Sequence, residues 1–66
     1  MGTNLKMAQA LLELGATANF VRSSRVYIDL DRKENFPEVE RLLRDHKWCI
    51  VGSHVNSDGS MGIRAI

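Results

Sequence analysis

One cysteine, one proline and four aromatic residues are all that the 66 residues hold of those types, and each scarcity removes a class of protein. Cys49 alone cannot close an intramolecular disulfide, which excludes an extracellular stapled scaffold and fits a reducing, cytoplasmic setting. With only two histidines beside it, a tetrahedral metal set would need distant carboxylates, and no ligand pair has motif spacing, so neither a metal nor a cofactor is expected. Long apolar runs are missing too. Met7 to Leu12 is preceded by Lys6 and broken by Glu13, too short and too polar for a signal or membrane segment. An excess of either charge is lacking: nine Lys and Arg against eight Asp and Glu leave a net charge of +1, so no global field draws the chain to nucleic acid or to a membrane surface. Ser57-Asp58-Gly59-Ser60-Met61-Gly62 is no phosphate cradle, because no helix follows it to offer an N-terminus.

What is present suits one globular domain over residues 1–66. The hydrophobic fraction is 44% and the charged fraction 26%, both ordinary for a folded chain. A chain this short buries roughly 60% of its unfolded surface, so its stability is marginal and dimerisation is the readiest extra source.

Hydropathy periods give the elements. Thr3 and Asn4 can each cap a helix over about Asn4 to Leu14, with Leu5, Ala8, Leu11 and Leu12 on or beside one face and Gly15 at the position that ends it. Met7 and Leu14 widen that apolar stripe beyond what one hairpin needs. Val26, Ile28 and Leu30 alternate with Arg25, Tyr27 and Asp29, which predicts a strand from Arg25 to Leu30. Phe20 to Arg22 is either its partner or an irregular connection, because Ser23-Ser24 is a weak turn signal. Asn35, Pro37 and Glu38 mark the start of a second helix, Phe36 to about His46, with Val39, Leu42 and Leu43 inward and the pairs Glu40–Arg44 and Arg41–Asp45 outward. A closing hairpin runs from Trp48 to Ile66 around Asn56-Ser57-Asp58-Gly59-Ser60, with Cys49, Val51 and Val55 facing the core and Gly62 a candidate bulge. The expected fold is therefore α+β: a small antiparallel sheet of three to four strands with two helices on one face, in the order α-β(β)-α-β-β.

Chemistry-bearing residues are few. In Gly52-Ser53-His54 the imidazole could serve as a base, yet His46 has no reason to converge on it, and Ser53 and His54 point to opposite faces of a strand. Asp29 and Asp31 bracket a strand end beside Arg32 and Lys33, the setting of solvated carboxylates. No catalytic set is assigned, and the expectation is a non-enzymatic binding module. It would act as an inhibitor, adaptor or regulator on another protein or a second copy, using Met7, Leu11 and Leu14 of the first helix with Met61, Ile63 and Ile66 of a last strand whose outer edge is free. The alternative is an RNA- or DNA-binding regulator, with Arg22, Arg25, Tyr27, His54 and Arg64 as candidate contacts.

Leu42-Leu43, then Lys47-Trp48, Gly52-Ser53-His54 and Asp58-Gly59 resemble the helix, tryptophan and Gly-Ser-His hairpin of the HicA toxin family, small RNA-cleaving proteins with a double-stranded-RNA-binding-like fold. The resemblance spans about a third of the chain. It implies His54 as a catalytic residue and makes RNA cleavage a third reading.

Overall fold

The computed structural model describes residues 2–22 and 24–66, with side chains from Asn4 onward. It contains α1 (Gly2–Glu13), β1 (Ala16–Arg22), β2 (Arg25–Leu30), a 3-10 turn (Lys33–Asn35), α2 (Phe36–Asp45), β3 (Ile50–Val55) and β4 (Met61–Ala65). The four strands form one antiparallel sheet in the order β1-β2-β4-β3. Phe20 to Arg22 is thus strand and not connection, while Ser23 lies outside the described residues and Thr3 outside the described side chains. Two helix-hairpin units follow one another, and their inner strands, β2 and β4, join the halves at the centre of the sheet.

Alternation along the central strands decides the layering. Val26, Ile28 and Leu30 of β2 and Met61, Ile63 and Ala65 of β4 are buried on one face, where Met7 and Leu11 of α1, Val39 and Leu43 of α2 and Ala16 of β1 complete the core. Leu14, Ala18, Phe36, Leu42, Trp48 and Ile50 pack around this cluster. Each buried aliphatic side chain contributes roughly 1.5–3 kcal/mol relative to exposure. Both helices cover the same face, so the other face has no layer over it.

This arrangement corrects the expected interface. Chain order does not set sheet order: β4 is a central strand paired on both sides, and the free edges belong to β1 and β3. Met7, Leu11 and Ile63 are fully buried and Met61 nearly so, because they fill the space between helices and sheet. They have no surface to offer a partner. Leu14 is half-buried against the core and Ile66 is exposed. The surplus apolar width of α1 is real but lies on Leu5 and Leu12, which are 59% and 62% exposed. β3 is also turned relative to expectation. A bulge at Val51, between the pairs Ile50↔Ala65 and Gly52↔Arg64, breaks the alternation so that Ile50 packs inward while Cys49 and Val51 are exposed; Val55, opposite buried Met61, keeps the core side but is exposed on the edge strand. Gly62 sits in regular register and is not the bulge.

Helix ends follow local chemistry, with two surprises. Gly15 takes φ +74° after α1, and its carbonyl accepts the Asp31 amide at 2.9 Å. Helix α1 begins before Asn4, so Asn4 lies within it. Asn35 precedes α2 but does not cap it: with φ −87° and ψ 3° it lacks the extended conformation a cap needs, and its Nδ2 donates to the Leu14 carbonyl at 3.1 Å instead. That bond ties the end of the first helix to the start of the second. At the other end of α2 the Trp48 amide donates to the Leu43 carbonyl and the Lys47 amide to the Arg44 carbonyl, at 2.9 and 3.0 Å. This is a Schellman closure, with Lys47 at φ 68° in the place usually held by glycine. Of the two expected charge pairs on α2, Glu40–Arg44 forms at 3.6 Å and is the one ion pair among the described residues. The β3–β4 turn is as its residues suggest: Gly59 takes φ +89°, and Asp58 accepts the amide and hydroxyl of Ser60 at 2.9 and 2.6 Å. Those two bonds, the hydroxyl's first, hold the Asp58 carboxyl below its ordinary value.

A side chain in the left-handed region costs about 1–2 kcal/mol. Lys47→Gly should therefore raise the unfolding free energy by about 1 kcal/mol in urea titration, and Gly15→Ala should lower it by a similar amount. If Lys47→Gly destabilised the protein, the Schellman account of this helix end would be wrong.

Candidate nucleic-acid interface

The uncovered face of the sheet carries the side chains that alternate with the core residues. Arg25, Tyr27 and Asp29 point there from β2, Gly62 and Arg64 from β4, and Thr17, Asn19 and Arg22 from β1. Pairing fixes the map: Arg22 opposes Arg25, Tyr27 opposes Arg64, and Asp29 opposes Gly62. On β3, Gly52 opposes Arg64 and His54 opposes Gly62. All five residues read from the sequence as nucleic-acid contacts, Arg22, Arg25, Tyr27, His54 and Arg64, thus stand on one face. Ser53 opposes Ile63 and points the other way, so no Ser–His pair exists. His46 ends α2, on the helix side.

Two glycines shape this face. A β-carbon on Gly62 would lie 2.6 Å from Tyr27 Oη and 2.8 Å from His54 Nε2, and also against His54 Cε1. A β-carbon on Gly52 would collide with the Arg64 guanidinium, whose Cζ and Nε would be 3.1 Å away. The phenol and the imidazole therefore meet over one glycine, and the Arg64 side chain lies flat over the other. Isolated glycines inside strands signal such close approach, and that signal was readable in Gly52 and Gly62.

Bulges supply what the glycines do not. β1 has an extra residue between Phe20 and Arg22, and β3 one between Ile50 and Gly52. Because β1 ends where β3 begins, both bulges fall at the same end of the sheet. Val21 and Val51, 67% and 56% exposed, stand on the two edge strands there. Between them is a groove of about 480 Å³ lined by Val21, Arg25, Tyr27, Val51, Arg64 and Ile66. It is a largely apolar groove with two arginines and a tyrosine in its lining, within the size range of small-ligand sites. Sequence reading missed Val21 and Val51, since nothing in their local sequence announces an extra residue in a strand.

The charge on this face is one-sided. Arg22, Arg25 and Arg64 share it with a single carboxylate, Asp29, and none of the three arginines has a carboxylate within ion-pair distance among the described residues. Arg22 and Arg25 are directly opposite each other, an arrangement that costs stability through like-charge repulsion. The remaining acidic residues, including Glu38, Glu40 and Asp45, lie on α2 or in the loops and ends of the elements. A net charge of +1 therefore conceals a basic sheet face backed by a helical layer that holds both signs. Asp31 lies near Gly15 at the opposite end of the sheet from Arg22. Among the described residues no group of three metal-binding side chains occurs, and no helix is long and apolar enough to cross a membrane.

Gly62→Ala and Gly52→Ala should leave unfolding free energies within about 1 kcal/mol of the parent, because only the far ends of side chains on the open face need to move. They should displace the His54 and Tyr27 ring resonances in the first case and the Arg64 side-chain resonances in the second. Losses above about 3 kcal/mol by thermal denaturation would mean that the side chains over the glycines are fixed parts of the fold.

In comparison with known proteins, no family model, curated protein or solved structure matches this chain.

Proposed function

We propose that the chain is a small nucleic-acid-binding module, acting as a regulator by occupancy and not by catalysis, and that the uncovered sheet face is its binding surface. The supporting observation is the gathering of Arg22, Arg25, Arg64, Tyr27 and His54 on that face with no carboxylate partner for the arginines. Phosphates would relieve the Arg22–Arg25 repulsion, and the half-buried Tyr27 offers a ring for a base. Three phosphate contacts predict a salt slope of about −2 to −3 in log K against log salt. A gel-shift series with the full chain should show binding at low salt that weakens along that slope, and Arg25→Gln or Arg64→Gln should each reduce the slope by about 1. Absence of any shift at low salt removes this reading.

Association with a second copy of the chain is the second reading, supported by Leu5 and Leu12, exposed one heptad apart on α1, and by the unpaired outer edges of β1 and β3. Light scattering at micromolar concentration tests it. A dimer that dissociates in Leu12→Glu supports it, and a strict monomer sinks it.

A further inference from the structure

The groove between Val21 and Val51 has a composition that phosphate contacts alone do not need. Backbone recognition asks for cations, and Arg22, Arg25 and Arg64 supply them. An apolar slot asks for a flat apolar group. Its two valines stand on opposite edge strands, each at a bulge that places two successive residues on the open face at the same end of the sheet, Val21 with Arg22 and Val51 with Gly52. Arg25 and Arg64 both line it. They are diagonal neighbours across β2 and β4, with Cα atoms about 7–8 Å apart, so both can address the backbone on either side of a single residue of ligand. Tyr27 lines the same slot, and its hydroxyl ends over Gly62 beside His54.

Resting on the nucleic-acid reading above, we infer that the groove is a subsite for one unstacked base of single-stranded RNA. In a duplex the bases are stacked and show only their edges, which cannot enter a slot walled by valines. A single strand can turn one base out at small cost. Val21 and Val51 stand three strand spacings apart, roughly 14 Å, so the base lies against the Tyr27 ring with a valine toward either edge, and the adjoining phosphates meet Arg25 and Arg64. The phenol of Tyr27 and the imidazole of His54 then lie where a ribose 2′-hydroxyl can donate to or accept from them, which is the group that separates RNA from DNA. The bulges thus acquire a purpose that pairing alone does not give them, since each sets a valine on the binding face next to a second residue of the same face, Arg22 in β1 and Gly52 in β3.

The test is an NMR titration of the full chain, labelled at its leucine and valine methyls and backbone amides, with a short oligouridine strand. Ring-current shifts of the Val21 and Val51 methyls are expected with single-stranded RNA, at least about threefold smaller shifts with duplex RNA of the same length, and weaker binding of the matching oligothymidine strand. Tyr27→Ala should weaken RNA binding about tenfold and Val51→Ala several-fold. Neither should change the salt slope, because no phosphate contact is lost. Val51 is exposed, so its truncation spares the core. If binding occurs with the expected salt slope but the valine methyls do not move, the base subsite is wrong and the phosphate-binding surface stands. If duplex RNA or the DNA strand produces equal shifts with equal affinity, the assignment to single-stranded RNA is overturned. If no oligonucleotide binds at low salt, both the surface and the subsite fall. Selective shifts of the Leu5 and Leu12 methyls on raising protein concentration alone, with no response to RNA, would overturn it in favour of self-association.

Discussion

Ile28 and Ile63 face each other across β2 and β4, both fully buried, and the rest of the molecule depends on that pair. It is the centre of the one strand pairing that joins the first helix-hairpin unit to the second. Neither hairpin could stand alone in water. Side by side they make a four-stranded sheet whose inner face is wide enough for two helices, and Met7 and Leu11 from one helix meet Val39 and Leu43 from the other over the same isoleucines. Both helices are used on that one face. The opposite face is left open among the described residues.

An uncovered sheet face has to be polar, yet its polarity here is not neutral. Glycine at positions 52 and 62 lowers the surface, and long side chains lie across the space it leaves. Three arginines stand on it unpaired, two of them directly opposed. A fold selecting only for solubility gains nothing from opposing Arg22 to Arg25 when a carboxylate in either place would stabilise the pair. The arrangement makes physical sense when an anion completes it. The helical side differs, since Glu40 and Arg44 pair within α2 and acidic and basic residues alternate there.

Much of this was legible in the sequence. The alternation of Val26, Ile28 and Leu30 with Arg25, Tyr27 and Asp29 gives β2 residue by residue, and the same parity sends Arg25, Tyr27 and Arg64 to one face. What the sequence concealed has definite physical causes. Strand order is a long-range property, so a last strand in chain order was read as an edge. A local cue existed: Met61, Gly62 and Ile63 are uniformly apolar or small, as a central strand is, while Gly52-Ser53-His54 is polar like an edge. The direction in which α1 leans is set by packing, and a wide apolar stripe cannot tell whether Met7 and Leu11 or Leu5 and Leu12 turn inward. Bulges at Val21 and Val51 break no propensity, so the groove they frame was invisible. The Asn35 cap failed because a 3-10 turn delivers that residue in a near-helical conformation, and its amide found the Leu14 carbonyl instead.

A single-stranded nucleic acid is proposed to lie on the sheet face opposite the helices. Photo-crosslinking of the full chain to a 4-thiouridine-containing RNA strand, with the attachment sites mapped by mass spectrometry, tests it most directly. Crosslinks confined to peptides carrying Val21 to Tyr27, Val51 to His54 and Arg64 are predicted. Crosslinks on α1 or α2, or none under conditions where the strand is in excess, would contradict it.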